Sequence, residues 1–254
     1  MNRKKNSGQI LIITSLTVVM ILMATVIYIQ DTIKKTPIYE SESNELFSAF
    51  RVGATHTMIS ALANFTEGGA QSAFTENLSK YKSALLDLSS NSIIYFDYTL
   101  NEISPYSGGV YMSWGVGGRG ISSCSASFAL NYSSNYARYY SEFGVDLTTE
   151  INTVGEYYLA DEHTKNVTVT FILLNEKMPT LASNFTVNYK TSATFSPGKW
   201  ITPESQSIRD FGNGTQTVTF LVESQTQSDP LLVSVFIRDS RGISVMANTT
   251  CVQV

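Results

Sequence analysis

Residues 10–29 read ILIITSLTVVMILMATVIYI, an apolar run of twenty positions without a charge. At about 1.5 Å per helical residue the run spans roughly 30 Å, the thickness of a bilayer's hydrocarbon core. Downstream the apolar positions become periodic. Leu46, Phe50, Ala54, Met58 and Leu62 recur every four residues, with Phe47 and Ala61 beside them. This stripe predicts a helix over Ser43 to Ala63, with Ser43 as N-cap and Glu45 in the first turn. Thr66-Glu67-Gly68-Gly69 ends it. Phe74, Leu78, Tyr81, Leu85 and Leu88 then follow at spacings of 4, 3, 4 and 3, predicting a second helix over Gln71 to Leu88. Two apolar stripes joined by a short glycine turn predict a helical hairpin, read here as a neck.

After Asn91 the period shortens to two. Ser92 to Leu100 is rich in Ile, Tyr and Phe, and Tyr111 to Trp114, Ser125 to Tyr132, Glu142 to Thr149 and Val154 to Leu159 are shorter strand candidates. From Asn166 the alternation sharpens. Val167, Val169, Phe171 and Leu173 alternate with Thr168, Thr170 and Ile172; Phe185, Val187 and Tyr189 alternate within Asn184 to Lys190; Val218, Phe220 and Val222 do so again. Leu231 to Arg238 and Ile243 to Val254 flank the turn residues Asp239-Ser240-Arg241-Gly242. Strands at these intervals over about ninety residues predict a β-sandwich, and the last module resembles immunoglobulin-like surface domains in architecture. The Cys-Trp-Cys pattern of antibody domains is absent.

Charge orients the apolar run. Arg3, Lys4 and Lys5 precede it, which keeps the N-terminus in the cytoplasm by the positive-inside bias. The run is longer than a signal peptide's apolar region, and its end offers no small-x-small cleavage site, so it reads as a retained anchor. Residues 1–35 hold five basic residues and one acidic, against twelve basic and twenty acidic in residues 36–254. A body so acidic excludes nucleic acid as the expected partner. The string Arg3-Lys4-Lys5-Asn6-Ser7-Gly8-Gln9, running into the apolar helix, resembles the class III (type IV pilin-like) signal of archaeal surface proteins. The resemblance implies a cut between Gly8 and Gln9 and self-assembly through the N-terminal helix. The fifth residue after that cut is Ile13, where many pilins have Glu. The other reading is an ordinary uncleaved anchor.

Composition supports an exterior body. Charged residues make up only 15% of the chain, well under the usual quarter, and Ser, Thr, Asn, Tyr and Gly take their place. Seven N-x-S/T sequons, at Asn64, Asn77, Asn131, Asn166, Asn184, Asn213 and Asn248, all lie beyond the apolar run and are glycosylation candidates. Cys124 and Cys251 are the two cysteines. In an oxidising exterior they read as a disulfide closing a long loop, worth about 4–5 kcal/mol in the chain-entropy model; the alternative is two buried free thiols.

Motifs for chemistry are sparse. Gly115-Val116-Gly117-Gly118-Arg119-Gly120 matches G-x-G-x-x-G, but no helix follows it, so it reads as a hairpin loop and not a cofactor site. His56 has no ligating neighbours on its helix, and Asp161-Glu162-His163 reads as a solvated turn. Two histidines and no G-x-S-x-G elbow leave nucleophilic catalysis without a base. No catalytic, cofactor-binding or metal residues are therefore expected, nor any cofactor. The aromatic clusters Tyr95, Phe96, Tyr98, Tyr106, Tyr111, Trp114 and Tyr132, Tyr136, Tyr139, Tyr140 suit glycan or protein contact if exposed, and sheet packing if not.

These readings predict an N-terminal transmembrane helix with a helical neck, followed by a mainly-β immunoglobulin-like sandwich. The expected segments are a cytoplasmic leader (1–9), the membrane helix (10–29), the neck (30–90), a β-rich region (91–162) and the sandwich (163–254). The expected role is that of a non-enzymatic cell-surface protein, single-pass, structural or adhesive, with a pilin-like subunit as its most specific form. A surface-displayed glycan- or protein-binding module and a hydrolase built on spatially paired carboxylates are the alternatives.

Overall fold

The computed structural model describes Met23, Thr25 and residues 38–87, 93–115, 117–133, 138–191, 199–224 and 226–254. The chain divides into two compact units, Met1–Ser48 and Ala49–Val254. The described residues of the first are helical. Gly8, Gln9 and the apolar run apart from Met23 and Thr25 lie outside the described residues, and among the described residues no helix is long and apolar enough to cross a membrane.

The fold is mainly β, with antiparallel sheets and two described helices. Helix α1 (Ile38–Thr66) and helix α2 (Ser72–Asp87) precede twelve strands: β1 (Ile93–Leu100), β2 (Val110–Trp114), β3 (Arg119–Ser133), β4 (Arg138–Leu159), β5 (Thr164–Asn175), β6 (Met178–Pro179), β7 (Ala182–Thr191), β8 (Gln206–Asp210), β9 (Thr215–Glu223), β10 (Leu231–Asp239), β11 (Ser244–Thr250) and β12 (Val252–Gln253). The large sheet runs β1-β3-β4-β5-β9-β8, with β2 on β3, β6 on β5, and β12 parallel to β4. The small sheet is β11-β10-β7.

Of the predicted apolar stripes, Phe50, Ala54, Met58, Ala61 and Leu62 on α1 and Phe74, Leu78 and Leu85 on α2 are buried, Phe47 and Tyr81 are half-buried, and the Leu46 side chain and Leu88 lie outside the described residues. The helices meet where Tyr81 donates a 3.0 Å hydrogen bond to the Phe50 carbonyl, its ring lying over Gly53. Gly68, at φ +94°, turns the chain just past α1. The hairpin is laid on the sheet. Tyr81 meets the Phe96 ring edge-on at 5.4 Å, Phe96 stacks on Phe128, and Phe128 on Phe143. Gln71 also donates to the Ser107 carbonyl at 2.7 Å.

The other half of the large sheet faces the small sheet. Val167, Val169, Phe171, Leu173, Val218, Phe220 and Val222 pack against Val187, Val233, Val235, Ile237, Val245 and Ala247. One face of β3 serves both coverings: Ser122 donates to the Ser244 carbonyl at 2.7 Å, while Phe128 and Leu130 on the same face lie in the aromatic layer beneath α2 or beside it. Thr66, at the end of α1, accepts a hydrogen bond from the Ser244 amide at 3.0 Å, joining the two coverings.

The glycine-rich match at 115–120 spans the connection of the β2–β3 hairpin, as expected, and within it Gly118 and Gly120 pack against neighbouring backbone. The Gly118 amide donates to the Asn248 carbonyl, and the Gly118 carbonyl accepts from Thr153. A Cβ at Gly118 would stand 2.2 Å from the Thr153 carbonyl oxygen, and one at Gly120 2.0 Å from that of Met246. The glycines are needed because backbone passes against backbone.

The expected Cys124–Cys251 disulfide is corrected by the register. Cys124 pairs with Leu147 on β4, whereas the Cys251 thiol lies against Gly155 on the same strand. Eight residues of strand separate those positions, about 26 Å at ~3.3 Å per residue, far beyond disulfide reach. Both cysteines are buried free thiols.

Candidate functional site: a tyrosine and carboxylate trough

The helix hairpin covers one face of β1, β3 and β4. The opposite face carries an open depression of about 430 Å³. Register builds it in rows. Asp97, Ala129 and Glu142 form one row of its lining across the three strands, and Thr99, Ser127 and Gly144 the other. Tyr95, Asn131 and Tyr140 form the next row along the strands, bordering it. The middle positions are small, so the floor is low and the flanking side chains make the walls. Tyr95 is 55% exposed and Tyr140 63%.

Each tyrosine leans on the carboxylate two residues along its own strand. Tyr95 donates to Asp97 at 3.3 Å, and Tyr140 donates to Glu142. Asp97 also receives a 3.1 Å bond from Lys82, which reaches it from α2. That hydrogen bond holds the Asp97 carboxyl below the usual carboxylate range. The Tyr140 hydroxyl is pushed up by its bond to Glu142. Asp97 and Glu142 line the depression about 10 Å apart across two ladder spacings, each with an exposed tyrosine beside it at the border, an arrangement that suits a chain of hydroxyl groups.

A second polar cluster is structural. Asp239, the last residue of β10, is buried and accepts from the Arg241 and Ile243 amides, both at 2.9 Å. Its other oxygen takes Arg241 Nε at 2.8 Å, Thr149 at 3.1 Å and Asn175 at 3.0 Å. Arg241 continues to Glu176 at 2.7 Å, in the β5–β6 turn where Glu176 and Lys177 take φ of 48° and 67°. With its oxygens filled by five donors, Asp239 clasps the two sheets together.

The remaining sequence candidates are dispersed. His163 lies in an exposed β4–β5 turn, its amide bonded to Asp161 at 2.8 Å. Among the described residues no group of three metal-ligating side chains gathers. Lys165, buried inside the sandwich, donates to the Asp229 carbonyl and sits 4.5 Å from the Tyr157 ring centroid. Asn64, Asn131, Asn184 and Asn213 are exposed, whereas Asn77, Asn166 and Asn248 are half-buried. The aromatic clusters signalled Tyr95 and Tyr140, which border the trough; Asp97 and Glu142, which line it, carried no sequence signal, because only the register brings them together.

No protein-family model matches the chain, and no curated protein is similar enough to match it.

Proposed function

We propose that this chain is a single-pass surface protein, anchored by residues 10–29 with residues 1–9 in the cytoplasm, whose exterior β-sandwich is adhesive. The trough carries the reading. Exposed tyrosine faces with fixed carboxylate acceptors bind sugar rings by stacking and by accepting their hydroxyl protons. Its ligand is a neutral oligosaccharide. The body is immunoglobulin-like: β4-β5-β9-β8 facing β7-β10-β11 follows the ABED and CFG strand order of that fold. As the general acid of a hydrolase Asp97 is ill suited, because the Lys82 hydrogen bond favours its ionised form. The test is binding of full-length protein in detergent to a panel of neutral oligosaccharides. Tyr95→Ala with Tyr140→Ala is expected to lower affinity at least tenfold; binding unchanged in that variant overturns the trough reading.

The leader favours one further specification, a pilin-like subunit. If it holds, the mature protein begins at Gln9 and Gly8→Leu abolishes the cut. A native N-terminus at Met1 or Asn2 leaves a plain anchored protein.

A further inference from the structure

The seven sequons are alike in sequence and unlike in structure. An acceptor asparagine must present its Nδ2 as a nucleophile while a transferase draws the side chain into its cleft. In Asn166 that nitrogen is committed to the Tyr158 hydroxyl, and Oδ1 is buried. Asn248 also has a buried Oδ1, and its backbone is bonded on both sides to the glycine seam, at Gly115 and Gly118. Asn77 is half-buried within α2. Asn64 closes over the turn after α1, so that a Cβ on Gly69 would stand 2.0 Å from its Oδ1. Asn131 and Asn184 are fixed in ladders, opposite Tyr95 and Tyr140 in one case and Arg238 in the other.

Asn213 differs from all six. It stands exposed at the β8–β9 turn between Gly212 and Gly214, at φ +72° and +80°. Its Oδ1 accepts the Thr215 amide at 3.1 Å, a turn that fixes the side chain through its oxygen and does not commit Nδ2. The same turn brings the sequon's threonine beside the acceptor.

We propose that Asn213 is the N-glycan acceptor of this chain, taking an oligosaccharide from a polyprenyl-linked donor, and that Asn166 and Asn248 stay bare. This rests on the exterior location proposed above. In the transfer, Asn213 Nδ2 attacks the anomeric carbon of the donor and a C–N bond forms. The anomeric C–O bond to the polyprenyl phosphate breaks, that phosphate leaves, and Nδ2 loses one proton to a base of the transferase.

The experiment is glycopeptide mapping of the full chain from its native membranes, beside protease treatment of intact cells. The expected result is a glycan mass on the peptide containing Asn213, lost in Asn213→Gln and Thr215→Ala and kept in Thr215→Ser. A bare Asn213 on a body that external protease digests overturns the proposal and leaves the exterior reading standing. A body fully protected from protease overturns the exterior reading, and the proposal with it. Glycan on Asn166 or Asn248 overturns the sorting.

Discussion

Asp239 at the end of β10 is hydrogen-bonded to Thr149 of β4 at 3.1 Å, a link between the two sheets made by a buried carboxylate. Arg241 shares both partners, reaching Asp239 at 2.8 Å and the Thr149 hydroxyl at 2.9 Å. Removing one member of a buried pair leaves the other charge uncompensated, which costs ~3–5 kcal/mol. Glu176 still holds Arg241, so Asp239→Ala is expected at the lower end, about 3 kcal/mol. A urea denaturation midpoint that does not move contradicts the clasp.

The two thiols give a second measurement. Burial pushes Cys251 up to about 12 and Cys124 higher still. Only the thiolate alkylates, so neither cysteine is expected to react with iodoacetamide at pH 8 in the native state. Both are expected to react in denaturant without reductant. No thiol reacting under those conditions restores the disulfide.

Gly53 sets two effects against each other. Gly→Ala inside a helix contributes up to ~1 kcal/mol of propensity. A Cβ there would stand 2.4 Å from the Tyr81 hydroxyl and 2.8 Å from its ring, and overpacking of that kind costs ~1–3 kcal/mol. Gly53→Ala is expected to destabilise by about 1 kcal/mol; a rise in thermal midpoint would mean that the helices separate without loss.

Tyr81 adds a pH signature to the same crossing. Burial raises its hydroxyl to about 12. A folded-state value above the unfolded one stabilises fully below pH 10, and that contribution is lost as pH rises through 12. Tyr81→Phe removes the hydrogen bond, worth ~1 kcal/mol, and should flatten the stability profile between pH 10 and 12. Identical slopes in the two proteins would assign the alkaline loss elsewhere.

Gly144 separates binding from folding. Its nearest neighbour for a Cβ is Asp146 Oδ2 at 4.0 Å, so the position is open and a β-branched residue suits a strand. Gly144→Val is therefore expected to keep the melting temperature within a few degrees while filling the trough and weakening oligosaccharide binding. Full affinity in this variant places the ligand elsewhere.

The parts legible in the sequence are those whose interior is uniformly apolar. Phe50, Ala54, Met58, Ala61 and Leu62 of the α1 stripe, Phe74, Leu78 and Leu85 of the α2 stripe, and the alternating residues marked in β5 and β9 are buried, and in β7 Val187 is buried between the half-buried Phe185 and Tyr189. β4 was legible only as two pieces, Glu142 to Thr149 and Val154 to Leu159, yet it is one strand. Its inward positions run Val145, Leu147, Thr149, Ile151, Thr153, Gly155 and Tyr157. Thr149 is inside because Asp239 binds it, and Gly155 because the Cys251 thiol occupies the space a side chain would need. β8 is exposed throughout, so no apolar face marks it. The trough was half legible: aromatic clustering pointed to Tyr95 and Tyr140, but a wall assembled across three strands exists only once the register is known.

Because β4 continues unbroken for 22 residues, about 70 Å at ~3.3 Å each, the helix-covered half and the sandwich have no hinge between them. The same backbone hydrogen-bonds to β3 at one end and to β5 at the other, with Thr149 to Asn152 paired on both sides. Neither half can lose its order without freeing a strand of the other. Residues from Ala49 onward should thus melt in a single cooperative transition, and a ligand held in the trough would raise the melting temperature of the sandwich as much as that of the strands it touches.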